Sequence, residues 1–499
     1  MKITLTDDAP HSLTADVLAV PVLEGALDDD PIVRALDAKL GGTLVAAAKA
    51  EEFVGKVDQA VAVNGAKGVG ARRVVLYGLG RPSTLGRSEA RAFAVRASRG
   101  NGITKLAIVA PSSDDDAYQG IAEGVGLGAY RYTRYLTGDR LPKKTLGEVT
   151  IASRTGKVAG KGAAKANAGH KAAVERGTVV ADAVTWTRDW VNGPPNDVNA
   201  LTLTAEAKRL AHAHGLTCTA LDKAALAKKR MDLLLAVNKG SAIEPRLIHL
   251  KHAPKKARGR VVFVGKGITF DSGGLCIKSA KQMADMKCDM AGAALTIATL
   301  VAAARLDLPV EVHGICAITE NMTGPEAYRP GDVYKSYEGK SVEIINTDAE
   351  GRLILADALA YAAEQKPDVI VDHATLTGAC MVALGPYTAG IYANDDAFGS
   401  AYVQAAGRAG ESVWRMPLLE ELRDGLKSDV ADLKHTGEQY GGSITAALFL
   451  REFVRDAKWI HLDIAGPAFL ERAQGIAPKG ATGFGVLAAL RFLEDYDRR

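Results

Sequence analysis

Between Leu201 and Ile464 the chain alternates short apolar runs with longer stretches of helical spacing, and this alternation limits the fold more than any other feature. The runs near Leu247–Lys251, Val261–Val264, Glu311–Ile318, Glu343–Asn346, Val369–His373 and Trp459–Ile464 read as strands. Helical segments, beginning near Thr204–His214, fall between them. Such alternation builds an α/β domain with a mostly parallel central sheet flanked by helices. In open sheets of that kind ligands bind at the carboxyl ends of strands.

Two of those ends are crowded with charge. Ser341–Ile345 alternates as a strand does, and Leu353–Leu359 reads as a helix. Between them lies Asn346-Thr347-Asp348-Ala349-Glu350-Gly351-Arg352. At a strand's period of two, Asp348 and Glu350 are expected to point the same way. Two like charges side by side repel, and a metal ion is one common remedy. A solvated turn with a stray ion pair is the plain alternative. Upstream, Arg260–Gly265 reads as a strand that runs into Lys266, Asp271 and Lys278. Met283–Ala294, which contains Asp289, opens an Ala-rich helix. Burying these isolated charges is costly unless they pair or coordinate a cation. On spacing alone, Lys266 is simply an ion-pair partner for Asp271.

At 499 residues the chain is too long for one ordinary core, so two domains are expected. Its 47% hydrophobic and 24% charged content is that of a soluble globular protein, and no apolar run is expected to span a membrane. The N-terminus lacks the plan of a signal peptide. Five cysteines without paired spacing argue against a disulfide framework or a thiolate zinc site, and a reducing cytoplasm fits. A net charge of +4 says little about an acidic partner.

The N-terminal third reads as its own α/β unit, with strands over Ala15–Val22, Arg73–Gly78 and Leu106–Ala110 and helices over Ser88–Ser98 and Ala117–Tyr130. Gly78-Leu79-Gly80 is Gly-rich but lacks a full nucleotide fingerprint, and reads as a turn. Thr155–Ala166 is rich in Lys, Gly and Ala and reads as an exposed loop, with a nucleic-acid contact as the lesser alternative. A helix over about Lys171–Val191, stopped by Gly193-Pro194-Pro195, bridges to the larger α/β domain. These signals divide the chain into 1–168, a connecting 169–196, and 197–499. His212 and His214 read as surface or cap residues. His313, His373 and His461 read as core or supporting residues rather than metal ligands, and no His-Glu-x-x-His set is present.

The ordered set Lys266, Asp271, Lys278, Asp289 and Asn346-Thr347-Asp348-Ala349-Glu350-Gly351-Arg352 resembles the leucine aminopeptidase (cytosol aminopeptidase) family. Asn321-Met322, Arg329-Pro330-Gly331-Asp332, Ala374–Ala379, Gly442–Ala447 and His461–Gly466 extend the resemblance, which covers about Arg188 to Gly483. It implies a metal-dependent aminopeptidase acting on peptides with a free N-terminus and preferring leucine-like residues. It also implies two divalent ions, manganese or zinc. Lys266, Asp271, Asp289 and Glu350 would hold one; Asp271, Asp348 and Glu350 would hold the other. Lys278 and Arg352 would be catalytic, with a bicarbonate at Arg352. Met286, Thr375, Gly378 and Ala465 would line the pocket for the N-terminal side chain. The resemblance further implies a homohexamer, with the N-terminal domain serving assembly. Ser279, Cys276 and Phe484-Gly485 depart from the family's usual residues and leave the site positions intact. Two alternatives share the scaffold: a DNA-binding accessory protein, and a dipeptidase such as a cysteinyl-glycine hydrolase.

Overall fold

The computed structural model describes residues 1–65, 67–81, 85–100, 102–154 and 161–496, the first six of the last stretch as backbone only. The chain forms two compact units, Met1–Thr185 and Trp186–Arg499.

The first unit has six strands: β1 (Lys2–Thr6), β2 (Val17–Val22), β3 (Ala60–Asn64), β4 (Arg73–Gly78), β5 (Lys105–Val109) and β6 (Glu148–Ala152). Their order is β1-β6-β5-β2-β4-β3, parallel except for the edge strand β3. Strand β2 is buried along its whole length because it lies between two neighbours and two helical layers. Its Leu18, Val20 and Val22 pack with α1 (Pro31–Lys39) and α2 (Thr43–Ala50), while Val17 and Ala19 pack with α3 (Arg87–Ser98) and α4 (Asp115–Ala129). This is the two-face division that a strand's period of two dictates.

Small residues set the helix spacing. A Cβ at Gly120 or Gly124 of α4 would lie 2.3 Å from the carbonyl oxygen of Arg87 or Arg91 on α3. The Gly78-Leu79-Gly80 turn has a similar purpose. A Cβ at Gly78 would lie 2.0 Å from Lys56 O, so its glycine admits neighbouring backbone. Of the Lys/Gly/Ala-rich stretch, residues 155–160 lie outside the described residues. From Lys161 the backbone is helical, not looped: helix α5 spans Lys161–Asn192, ten residues longer at its start than the sequence suggests.

The second unit is built on eight strands. These are β7 (Thr217–Leu221), β8 (Arg246–His252), β9 (Arg260–Asp271), β10 (Glu311–Asn321), β13 (Val369–Ala374), β14 (Ala389–Ala393), β15 (Val413–Arg415) and β17 (Trp459–Asp463). Their order is β15-β14-β17-β13-β9-β10-β8-β7. The four central strands β17, β13, β9 and β10 are mutually parallel, whereas β14 and β8 join antiparallel. The sheet is therefore parallel at its centre and mixed toward its edges. A separate sheet holds β11 (Val333–Lys335), β12 (Ser341–Glu343) and β16 (Leu433–Lys434).

Helices α6 (Ala200–Ala213), α7 (Lys223–Lys228), α8 (Asp232–Asn238), α9 (Ala280–Met283), α10 (Ala291–Arg305), α11 (Gly351–Ala363) and α12 (Gly378–Leu384) come next in chain order. Helix α11 buries Leu353–Leu359 against Val262, Val264, Ile315 and Ala317 of one sheet face. Helix α10 lies against Gly265 and Gly314 of the other face. The stretch Met286–Arg305 reaches membrane-spanning length and hydropathy, contrary to the sequence expectation. It is 83% buried inside the unit, which makes it a core helix.

Two strand assignments change where they matter most. Strand β9 does not stop at Gly265 but continues to Asp271, and carries both Lys266 and Asp271. Conversely, Glu343–Asn346 adds no strand to the main sheet. Strand β12 ends at Glu343 in the small sheet, and residues beyond it turn. Asn346 Oδ1 accepts from Asp348 N at 2.9 Å, a local bond that competes with extended structure.

Candidate metal centre

The charged residues meet at the carboxyl ends of β9, β10 and β13. Strand β9 delivers Asp271 at its last residue, β10 ends at Asn321, and Thr375 follows β13. Asp289 comes from the segment between α9 and α10, and Asp348 and Glu350 from the turn that enters α11. The expected convergence of Asp348 and Glu350 occurs, but not through strand periodicity. A turn carries them, and Glu350 occupies the position before the first residue of α11.

One oxygen each from Asp271, Asp348 and Glu350 lie within 4.8 Å of one another, a spacing that suits a shared cation. Beside them Lys266 Nζ stands 2.7 Å from Asp289 Oδ1 and 3.0 Å from Glu350 Oε1, and donates to Thr375 O at 2.8 Å. Lys278 Nζ stands 2.8 Å from Asp271 Oδ2 and 2.5 Å from Asp348 Oδ1. All four carboxylates are thus in one cluster with both lysines. Gly351 is required for this arrangement: a Cβ there would lie 2.4 Å from Lys266 Cε.

The electrostatics follow from burial. Lys266, Asp271, Asp289 and Glu350 are nearly inaccessible to solvent. Burial alone would depress the Lys266 ammonium, but Asp289, Glu350 and Asp271 reverse this and hold it above the usual lysine range. Lys278 is raised likewise, burial being outweighed by Asp271 and Asp348. Burial, with Glu350 repelling, pushes the Asp271 and Asp289 carboxyls up. Asp348 is raised by burial too, against its bond to Lys278.

Four carboxylates against two ammoniums leave an excess of negative charge, which divalent cations would offset. Asp289 Oδ2 is buried without a hydrogen-bond partner among the described residues. An orphaned carboxylate oxygen in this cluster is a ready ligand, so the donor set fits divalent ions. Lys266 fits only as the neutral amine, since an ammonium has no lone pair to give.

Further residues hold the cluster: Asn321 and Tyr328, for which the sequence pointed to no role, and Thr375, expected in the side-chain pocket. Asn321 Nδ2 donates to Asp271 Oδ1 at 2.8 Å and lies 2.9 Å from Thr347 O. Tyr328 OH donates to the same Thr347 carbonyl at 2.8 Å. Thr375 Oγ1 donates to Asp289 Oδ1 at 2.7 Å. Asn321 belonged to a matching motif, but no sequence signal gave it a role.

Arg352, the second residue of α11, is buried, and burial pulls its guanidinium down to about 10. Its Nη1 donates to His435 O at 2.9 Å, and its Nε has no partner among the described residues. Of the four expected pocket residues, Thr375 is buried, Met286 and Ala465 are half-buried, and Gly378 is exposed at the start of α12. Asp463 ties two segments at this end: its Oδ1 accepts from the backbone of Leu376 and Thr377 after β13 and of Ala465 after β17. Met286 opens the short turn before Asp289.

The histidines on strands make protein hydrogen bonds outside the cluster. His313 pairs with Glu311, His373 with Tyr402, and His461 Nδ1 with Asp372 Oδ1 at 2.6 Å. Ser279 caps α9, its hydroxyl accepting from Gln282 N. Gly485 takes a φ of +95°, which is closed to proline.

Fold and cluster together define an α/β protein with a buried carboxylate–lysine centre suited to divalent cations. Residues 185–490 match the model of the cytosol aminopeptidase family's catalytic domain, and residues 19–139 match that of its N-terminal domain. A probable cytosol aminopeptidase of Streptomyces avermitilis is 43% identical over 511 residues, covering 99% of this chain and 98% of the relative. A tomato leucine aminopeptidase variant superposes with a TM-score of 0.87 at 34% identity, covering 99% of this chain and 97% of the other. The bottromycin maturation enzyme BotP in complex with Mn gives 0.83 at 34% identity, covering 96% and 99%. The chain belongs to the cytosol aminopeptidase family. In class it is a metal-dependent aminopeptidase.

Proposed function

We propose that this chain is a two-metal aminopeptidase that releases the N-terminal residue of peptides and prefers leucine-like side chains. The observation that carries the reading is the meeting of Asp271, Asp348 and Glu350 within 4.8 Å, beside the Lys266–Asp289 pair. Lys266, Asp271, Asp289 and Glu350 would hold one ion; Asp271, Asp348 and Glu350 would hold the other. The Mn complex of BotP supports manganese as one occupant, with zinc as the other candidate. When bound, such ions supply Lewis acidity and a water nucleophile at neutral pH.

The chain's own residues do the rest. Lys278, held as an ammonium, is placed to stabilise the peptide carbonyl oxygen as it gains charge. Asp289 Oδ2, buried and unpartnered among the described residues, is an acceptor for the substrate's free amino group. That requirement restricts cleavage to the first peptide bond. Arg352 directs an unpartnered buried Nε–H toward an anion, for which bicarbonate is the candidate, acting as general base. Met286, Thr375, Gly378 and Ala465 form the pocket for the first side chain. A cytoplasmic homohexamer is the form in which we expect the enzyme to work.

The test is release of leucine from leucyl-p-nitroanilide by the purified chain, after chelation and after return of manganese or zinc. Loss on chelation with recovery on return supports the reading, whereas inactivity of folded protein under every metal refutes it. A panel including cysteinyl-glycine separates a general aminopeptidase from a dipeptidase.

A further inference from the structure

His435 is fully buried, 85 residues beyond Glu350 in sequence, and lies in neither the cluster nor the side-chain pocket. It continues β16 alongside the end of β12, its own N–H donating to Glu343 O at 3.2 Å. Its ring reaches the turn that bears the two carboxylates. Nδ1 lies 3.2 Å from both Ile345 N and Glu343 O, whereas Nε2 lies 2.8 Å from Asn346 O, a carbonyl that can only accept; with the proton on Nε2, the neutral ring's Nδ1 accepts from Ile345 N–H. The shorter contact assigns the proton to Nε2, which donates to Asn346 O. Asn346 in turn holds Asp348 N through its side chain at 2.9 Å. The carbonyl of the same His435 accepts from Arg352 Nη1. One residue thus touches both sides of the Asp348–Glu350 turn, upstream through its ring and downstream through its backbone.

We propose that His435 is a positioning residue for the metal centre: its neutral, Nε2-protonated imidazole fixes the 345–346 peptides, and its carbonyl fixes Arg352, so that the turn presents Asp348 and Glu350 to Asp271. The inference rests on the reading of those carboxylates as metal ligands. The physical need is clear from the turn itself. Backbone pairing across the hairpin ends at Ile344, which bonds Asp332 O and Gly331 N, and residues 345–350 belong to no strand or helix. Asn321 and Tyr328 hold the Thr347 carbonyl, and His435 holds the preceding peptides. Groups that orient metal ligands from outside are commonly worth about 10–100-fold in metal affinity or activity.

The experiment compares manganese binding by calorimetry to the full chain and to His435→Ala, His435→Gln and His435→Asn, with far-UV circular dichroism as the check of folding. Gln can reproduce the donor to Asn346, and Asn the acceptor for Ile345. The expected result is a Kd raised at least about tenfold in His435→Ala, with His435→Gln recovering most of the loss and His435→Asn less. A residue that merely fills the core would lower the melting temperature and leave the Kd of the folded protein unchanged. A folded His435→Ala that binds manganese as the parent does overturns the proposal. If His435→Ala does not fold, equal affinities in the Gln and Asn variants overturn it, because the bond to Asn346 is the one linked to Asp348. Glu350→Ala separates the two readings. Unchanged binding there sinks the metal assignment itself, whereas lost binding with unaffected His435 variants sinks only the role of His435.

Discussion

The two halves of the centre are held in opposite ways. Lys266 and Asp271 stand on the end of β9, which pairs with β10 as far as Asp271 and with β13 as far as Gly265. Asp348 and Glu350 stand on a turn whose flanking strand, β12, has only three residues. The strand-borne pair takes its position from a backbone ladder that exists for the core's sake. The turn-borne pair leans on scattered single bonds, from Asn321, Tyr328 and His435 and from Thr347 Oγ1 to Gly273 O and Cys276 N. A sheet supplies rigidity to any residue placed on it, whereas a turn needs dedicated partners.

Removing a ligand tests both halves at once and should have the largest effect. Asp271→Ala and Glu350→Ala are each expected to lower kcat/KM by more than roughly a hundredfold, beyond the usual range for supporting residues. Full activity in either variant would refute the centre. Gly351→Ala probes the seam between the halves. Its Cβ would lie 2.4 Å from Lys266 Cε, so the lysine or the helix start must shift. Overpacking of this kind costs about 1–3 kcal/mol, and we expect a lower melting temperature together with weaker metal binding. A variant that keeps both would show that Lys266 has room to move.

Asn321→Ala sharpens the contrast. It deletes the donor to Asp271 and one donor to Thr347 O. A loss of about 10–100-fold in activity is expected, with metal titration showing whether affinity falls in step. Unaltered kinetics would mean that Tyr328, His435 and the bonds of Thr347 Oγ1 to Gly273 O and Cys276 N hold the turn without Asn321.

The smallest effect concerns pH. Asp357 on α11 accepts from Leu234 N and Tyr337 N, tying the helix to the hairpin between β11 and β12. Burial pushes its carboxyl up to about 8, against these two backbone bonds. A raised folded-state pKa means that the folded chain binds the proton more tightly. Asp357's neutral form therefore contributes stability below about pH 4, the unfolded value, and this is lost as pH climbs through about 8. Melting temperatures of Asp357→Asn should fall less between those limits than those of the parent. Parallel curves would remove Asp357 from the account.

The same contrast explains how far the sequence alone could be read. Apolar runs marked β9, β10, β13 and β17, and the charged residues set among them pointed to Lys266 and Asp271. The run after Lys340 misled, because Val342, Ile344 and Ile345 alternate as a strand while Asn346 turns the chain. Asp348 and Glu350 were legible as residues, and their convergence was correctly expected for the wrong geometric reason. Asn321, Tyr328, His435 and Asp463 carried no signal of their roles. Their partners include backbone groups of distant segments, and a main-chain carbonyl looks the same at every position in a sequence.

Lys266 and Lys278 occupy places against the carboxylates that cations also favour. An ion arriving there would compete with charges already tethered to the chain. Each lysine offsets carboxylate charge from within the chain, so the fold itself carries part of the cluster's counter-charge.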